Sequence, residues 1–413
     1  MTETAPSKTA PPTAPAAAPD PIRWVVEIAV PFWAEAGVDR EKGGFFDRLR
    51  PDGRPVPEDV KHVRYQARQI YAFCHAAELG AGAAALDTAK EGWRFLLRRG
   101  WDAQGGWIHT TTRAGRPLDP TRDLYDHAFV LLALAWLARA TGEEEPLAMA
   151  ARTMAFLDRR LVDPHGRGGA WGGYHEHTTE GLMTIPLPRR QNPHMHLVEA
   201  LLALHATTGD RAWLDRARPV VDLVLDGMID PETGQLVEFF EADWRPAPGD
   251  AGRVREPGHH YEWVWLLLAW RAATGDDRVL EPAERLYRFA LAGTDDGAEG
   301  PAAPFDAVDP AGRPTADTKR LWCQTEAIKA FAARAGHLGD VDAAARARRH
   351  LDVLFSSHMT PDGALWRDRL ARDGTVVSEH VPAGNFYHVV FALAEAARVL
   401  GRAAAPAAPD GRS

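Results

Sequence analysis

The 413-residue sequence predicts an all-α fold, an (α/α)6 barrel of twelve helices with short β-hairpin loops at one end. Three observations predict it. Six segments open on polar or aromatic residues, continue as long apolar helical faces and end in glycine, the residue favoured just past a helix C-terminus. They alternate with ordinary amphipathic helices that carry a charged stripe, and helices apolar on nearly every side belong inside striped ones. Long Gly-rich, aromatic links follow only the outer helices, so all six links must lie at the same end as the polar starts of the inner helices.

In chain order the first outer helix is PIRWVVEIAVPFWAEAG from Pro21, and the first inner one is RYQARQIYAFCHAAELG from Arg64. LDTAKEGWRFLLRR from Leu86 precedes YDHAFVLLALAWLARATG from Tyr125, and PLAMAARTMAFLDRRL from Pro146 precedes NPHMHLVEALLALHATTG from Asn192. RAWLDRARPVVDLVLDGM from Arg211 precedes HHYEWVWLLLAWRAATG from His259, and VLEPAERLYRFALAG from Val279 precedes WCQTEAIKAFAARAG from Trp322. VDAAARARRHLDVLF from Val341 and NFYHVVFALAEAARVLG from Asn385 complete the set. With Gln66, Tyr125, His194, His260, Gln324 and His388 as markers, the intervals are 59, 69, 66, 64 and 64 residues, enough for two helices each. Links such as GGWIHTTTRAGRP and PFDAVDPAGRP alternate around tight turns and read as hairpins. An open stack of helical hairpins has the same local pattern, but it should use its concave face rather than concentrate polar aromatics at one helix end.

With 45% apolar residues the chain can bury a substantial core. A net charge of -9 without a basic block argues against nucleic acid or an anionic membrane as partner. The only cysteines, Cys74 and Cys323, lie in helical patterns and give no metal spacing, which suits a reducing, cytoplasmic location. Residues 1–20 and 403–413, rich in Pro and Ala, read as disordered tails around one catalytic domain at 21–402, and no apolar run is long enough to span a membrane. A barrel of this size is stable alone, and the chain is compatible with a monomer or a homodimer.

The stretch EPGHHYEWVW sets two histidines at a helix start. Residues three apart share a helical face, so His259 and Glu262 converge while His260 points elsewhere. Glu262 can then hold one ring nitrogen and leave the other as a base; an exposed His–Glu pair has the same spacing. QNPHMHLVEA repeats it at His196 and Glu199, which raises a metal site as a minor reading without an HExxH motif or a cysteine ligand to support it. His388 opens the last inner helix as a second candidate base. Arg68, in an otherwise apolar helix, needs either a carboxylate partner or a bound anion or developing oxyanion. Tyr125, Trp322 and Trp366, with Phe45, Trp107 and Trp171, fall in links or at helix starts, where flat faces either stack on sugar rings or fill the core.

With these motifs in place, the chain resembles the N-acylglucosamine 2-epimerase superfamily of sugar epimerases and isomerases. ARQIYAF, YDHAF, QNPHMHLVEALLAL, EPGHHYEWVWLL, RLWCQTEAIKA and NFYH carry the resemblance, in that order, over residues 22–400. QNPHMHLVEA, EFFEADWRP and EPGHHYEWVWLL together are most similar to its bacterial D-mannose isomerase branch. The resemblance implies an (α/α)6 barrel acting on a small-molecule sugar without cofactor or metal. It implies that His259 and His388 form the acid/base pair, that Glu262 orients its histidine, and that Arg68 stabilises an enediolate oxygen. Substrate contacts are implied for Asn192, His196, Trp322, Gln324 and Glu326.

The chemistry expected is interconversion of D-mannose and D-fructose through ring opening and a cis-enediolate. Returning the proton to C2 from the opposite face would instead give a 2-epimerase acting on glucose/mannose, N-acylglucosamine or cellobiose. An inverting glycoside hydrolase would need two carboxylic acids in a pocket that is rich in histidine. A non-catalytic sugar-binding protein would not need both histidines and the arginine. Arg189, Arg190 and Arg320 lie near enough to the motifs to bind a sugar phosphate or to serve structure.

Overall fold

A computed structural model describes residues 18–56, 60–164, 172–360 and 363–404. The expected tails fall almost wholly outside these residues, as does Trp171; the last helix runs to Ala404, just past the expected domain boundary.

The chain is mostly helical. Its inner helices are α3 (Val63–Ala76), α5 (Leu124–Thr141), α7 (Gln191–Thr208), α9 (Pro257–Thr274), α11 (Leu321–Leu338) and α13 (Asn385–Ala404). The outer ones are α4 (Gly82–Gly100), α6 (Glu145–Arg160), α8 (Ala212–Leu223), α10 (Leu280–Ala292) and α12 (Val341–Val353), preceded by α1 (Pro21–Trp24) and α2 (Val30–Ala36). α1 and α2 are joined by a π-helical turn at Val25–Ala29, just before Pro31, whose missing N–H interrupts the regular ladder. Gly142, Gly209 and Gly275 cap α5, α7 and α9 with φ of 71°, 70° and 75°, the left-handed conformation the sequence pattern calls for; α11 instead runs through the expected Gly336 to a cap at Gly339 (φ 68°), and α13 runs through Gly401.

α3 packs on α5, α5 on α7, α7 on α9, α9 on α11 and α11 on α13, and α13 returns to α3. Each outer helix from α4 to α12 packs on the inner helix before it, and α1 lies against α13.

The links form more than separate hairpins, which is a correction to the sequence reading. The chain bridges back on itself after each outer helix, at Val38–Phe45, Trp101–Trp107, Val162–Tyr174, Ile229–Leu236, Thr294–Pro304 and Met359–Trp366. The segment entering each inner helix then pairs sideways with a neighbouring link: 61–62 with 110–111, 122–123 with 177–178, 189–190 with 239–240, and 318–320 with 369–371. Arg255 bridges Val308, and Arg48–Leu49 pair with Val381–Pro382, the first link with the last. Extended segments with unpaired edges leave backbone groups open, and sideways pairing satisfies them.

A second repeated contact fixes the inner helices in rotation. His127 Nδ1 donates to the Asp123 carbonyl (2.7 Å) and its Nε2 accepts the Trp107 N–H (3.0 Å). His194 does the same with Arg190 (3.2 Å) and Tyr174 (3.1 Å), and His260 with Glu256 (2.9 Å) and Leu236 (3.0 Å). Gln66 makes the equivalent pair with Phe45, at 2.8 and 2.9 Å. On α11 the same position holds Gln324, whose Nε2 donates to the His350 carbonyl on α12 (2.8 Å), and on α13 it holds Phe386, stacked against Trp33. The true repeat markers are therefore His127 and Phe386, not Tyr125 and His388, which sit two residues away and face differently.

These struts require neutral imidazoles, and burial pushes His127 and His260 down to about 4 and His194 to about 3. A histidine whose value is depressed on folding stabilises the fold fully above its unfolded value of about 6.5 and loses that stabilisation as pH falls toward the folded one. His260→Ala would leave the buried Leu236 N–H without its partner and is expected to cost about 1–3 kcal/mol. Urea unfolding at pH 7.5 measures it, and a loss below about 0.5 kcal/mol would contradict the strut.

Candidate active site

Pro257, at the first position of α9, presets its φ for a helix. Gly258 is required by a close approach: a Cβ there would fall 2.6 Å from the Trp322 ring. Trp322 can therefore lie against the start of α9, with its ring 4.8 Å from His259 and 6.1 Å from His388. The two histidines flank one aromatic face.

Side chains on a helix lean toward its N-terminus, so the His259 ring lies outside the first turn, in reach of the preceding link. There Glu238 Oε2 accepts from His259 Nδ1 (2.9 Å), and Glu256 lies 3.7 Å away. This corrects the expectation that Glu262 holds His259. Glu238 is itself oriented by Gln191 Nε2 (2.9 Å), and the Gln191 oxygen accepts from Trp263 Nε1 (2.8 Å). The Asn192 carboxamide lies 3.2 Å from His259 Nε2, and its Oδ1 has no hydrogen-bond partner among the described residues. A half-turn of that amide lets it accept from a charged His259.

Burial opposes a charge on His259, but Glu238 and Glu256 outweigh it and push the imidazole up to about 9. His388 has the opposite setting. Its Nδ1 bonds Glu326 Oε1 (2.8 Å), yet burial, reinforced by the Arg68 and Lys329 charges, holds it well below the usual histidine range. One imidazole is a cation at neutral pH and the other a base. Environments that push two titratable groups apart are the usual way a site separates its acid from its base.

Arg68 Nη2 donates to the Tyr125 hydroxyl (2.8 Å), and the guanidinium lies 4.0 Å from the centre of the Phe129 ring. Its Nε has no partner, and no carboxylate is ion-paired with it among the described residues; Asp126 is instead taken by Arg64 (3.4 Å). Of the two readings left open for Arg68, the structure favours an anion-seeking guanidinium. His196 Nδ1 bonds Glu199 (2.9 Å), and burial lowers it to about 4. Glu262 is buried 3.9 Å from both His196 and Lys329; burial and the Glu326 charge raise it well above the usual carboxyl range.

Three expected substrate contacts are corrected. Gln324 faces the outer helix, as described above. Glu326 is fully buried, bonded to His388 and ion-paired with Lys329 (2.7 Å), so both of its oxygens are already taken by protein groups. Trp366 is core, stacked on Trp33 with ring centroids 4.7 Å apart. Sequence reasoning missed Glu238, Gln191 and Lys329. Glu238 opens the EFFEADWRP link, where an acidic residue followed by two phenylalanines was the available signal.

Three groups of donors lie within 4.8 Å of one another and could hold a cation: His109, Asp123 and Asp126; His196, Glu199 and Glu262; and Glu238, Glu256 and His259. In each, the histidine is already hydrogen-bonded to a carboxylate of its own group.

Two histidines, an arginine without a carboxylate partner and a tryptophan ring thus gather at the starts of the inner helices. The crystal structure of a D-mannose isomerase shares the fold with a TM-score of 0.81 at 22% identity, over 91% of this chain and 97% of that one. Cellobiose 2-epimerase from Spirochaeta thermophila does so with 0.82 at 23% identity, over 92% and 96%. The N-acylglucosamine 2-epimerase (GlcNAc 2-epimerase) family model matches residues 44–392, and the chain belongs to that family. It is 36% identical to the mannose-6-phosphate isomerase of Rhizobium meliloti (strain 1021), covering 90% of this chain and 94% of that protein. It is 31% identical to the D-mannose isomerase of Thermobifida fusca, over 74% and 76%, and 29% identical to human N-acylglucosamine 2-epimerase, over 93% and 90%.

Glu238→Gln is expected to lower the His259 titration by one or more pH units from about 9, because the nearest negative charge is removed. An imidazole 15N NMR titration reads it directly, and an unmoved midpoint would remove Glu238 from this role.

Proposed function

We propose that the chain is an (α/α)6-barrel aldose–ketose isomerase interconverting D-mannose and D-fructose, with 21–402 as one catalytic domain. The observation that carries the reading is a pair of histidines, each bonded to a buried glutamate, that both lie against the Trp322 ring beside an arginine without a carboxylate partner. Cationic His259 donates a proton to the ring oxygen as the C1–O5 bond breaks and takes up the O1 hydroxyl proton, which leaves the C1 aldehyde and restores the imidazolium. Neutral His388 takes the C2 proton, made acidic by the C1 carbonyl. Negative charge then collects on O1, where Arg68 opposes it; such preorganised stabilisation is usually the largest contribution of a site. His388 returns its proton to C1, and His259 moves the hydroxyl proton between O2 and O1. The steps balance without metal, nicotinamide or nucleotide.

A free hexose suits the site better than its 6-phosphate, although one relative is named a mannose-6-phosphate isomerase. Arg189 is ion-paired with Asp163, Arg190 with Glu176 (2.6 Å) and Arg320 with Asp306 (3.1 Å), so none of them is left for a dianion. Among the described residues no helix is long and apolar enough to cross a membrane. The two free, buried thiols support a cytoplasmic setting.

Incubation with D-mannose in deuterated water, followed by NMR, is expected to give D-fructose with deuterium at C1 and no conversion of mannose 6-phosphate. Glucose as first product would make the enzyme a 2-epimerase. His388→Ala is expected to retain mannose binding and lose exchange by about 10²–10⁴-fold. Retained exchange would remove His388 as the base.

A further inference from the structure

We infer that Lys329 is a positioning residue for this reaction: its ion pair with Glu326 divides that carboxylate between two partners and leaves His388 working as a neutral base. The inference rests on the assignment of His388 to the C2 proton.

The chain contains two His–Glu pairs of nearly equal geometry, His259–Glu238 at 2.9 Å and His388–Glu326 at 2.8 Å. All four side chains are buried. Their surroundings differ in one respect. Among the described residues no lysine or arginine is ion-paired with Glu238; its other partner is neutral Gln191, and a second carboxylate, Glu256, stands near the same histidine. Glu326 instead gives Oε1 to His388 and Oε2 to Lys329 Nζ, 2.7 Å away. A carboxylate shared with an ammonium favours an imidazolium less than one that is not.

Lys329 cannot leave this position for solvent. It is fully buried one helical turn below Glu326, with Phe391 4.3 Å and Trp265 4.6 Å from Nζ. Burial works against its charge, but Glu326, Glu262 and Glu199 together outweigh it and hold the ammonium above the ordinary lysine value.

The groups facing His388 and Lys329 come from every neighbouring inner helix. α3 supplies Arg68 and Tyr71, α7 His196 and Glu199, α9 Glu262, α11 Glu326, and α13 Tyr387. Arg68 and His196 act on His388 in the same sense as Lys329, and Glu199 opposes them. Glu199 is held in turn by His196 and by the Tyr387 hydroxyl, 2.6 Å away. Lys329 is the one of these cations bonded to the same carboxylate as the base.

Lys329→Met preserves length and removes the charge. The acid limb of its kcat/KM profile for D-mannose is expected to move up by about one to three pH units, with at least a tenfold loss at pH 6 that largely recovers by pH 8. Lys329→Arg, which keeps the charge, should return the limb toward its original place. An equal loss at every pH, or an unmoved limb, would make Lys329 merely structural and overturn the inference. Should Lys329→Met fail to fold, imidazole 15N titration of the unaltered enzyme decides: His388 neutral at pH 6 supports it and His388 protonated there overturns it. If the His388 titration moves in Lys329→Met while the limb stays, the base assignment fails and the charge coupling stands.

Discussion

The hydrogen bonds that pin the fourth residue of the inner helices to the preceding link are the constraint on which the site depends. At His127, His194 and His260 a neutral imidazole spans a helix carbonyl and a link N–H. Two residues further on is about 200° around a helix. Where the fourth position of α3, α5, α7, α9 and α11 faces out, the sixth must face in, and Arg68, Phe129, His196, Glu262 and Glu326 occupy that inward layer; on α13 the corresponding pair is its second and fourth residues, Phe386 and His388. Packing alone leaves an apolar helix free to rotate in small steps. The struts make rotation discrete.

Within that frame, chemistry is set by what each buried charge is paired with. His259 and His388 are the same residue type, equally buried and each tied to a glutamate, yet their environments drive them in opposite directions. Arg68 has found a phenol and an aromatic face instead of a carboxylate, while Arg64, Arg189, Arg190 and Arg320 are neutralised. A pocket walled by compensated ions discriminates against charged substrates and leaves its one uncompensated cation for charge that develops during reaction.

Much of this was legible in the sequence because it is periodic. Apolar faces ending in Thr-Gly marked α5, α7 and α9, whose glycines adopt the expected left-handed caps, whereas α11 and α13 run on through the glycines expected to end them. The separation of His259 from His260 followed from helical spacing alone. What spacing does not contain is the direction a side chain takes from a shared face. Glu262 stands three residues from His259 but faces the layer below, and the partner of His259 is a link residue that no local pattern ties to it. Gln324 and Trp366 show a different limit: an amide can bond inward or outward, and an indole can meet a sugar or another indole, without any change in the residues around them. The sideways pairing of links was invisible because each link reads locally as a hairpin, and only the third dimension supplies its neighbour.

The pairing of Arg48–Leu49 with Val381–Pro382 bears on how the molecule is made. A chain emerging from the ribosome can form its helical hairpins in succession, but its first link stays unpartnered until almost the whole polypeptide has been synthesised. His388 arrives on the segment that completes this contact. Assembly and completion of the site are thereby timed together: a chain that stops short of α13 lacks both this contact and His388. The same adjacency makes the point at which the ring is opened a matter of covalent order rather than of packing, so the chain ends could be moved to another outer turn with the site intact.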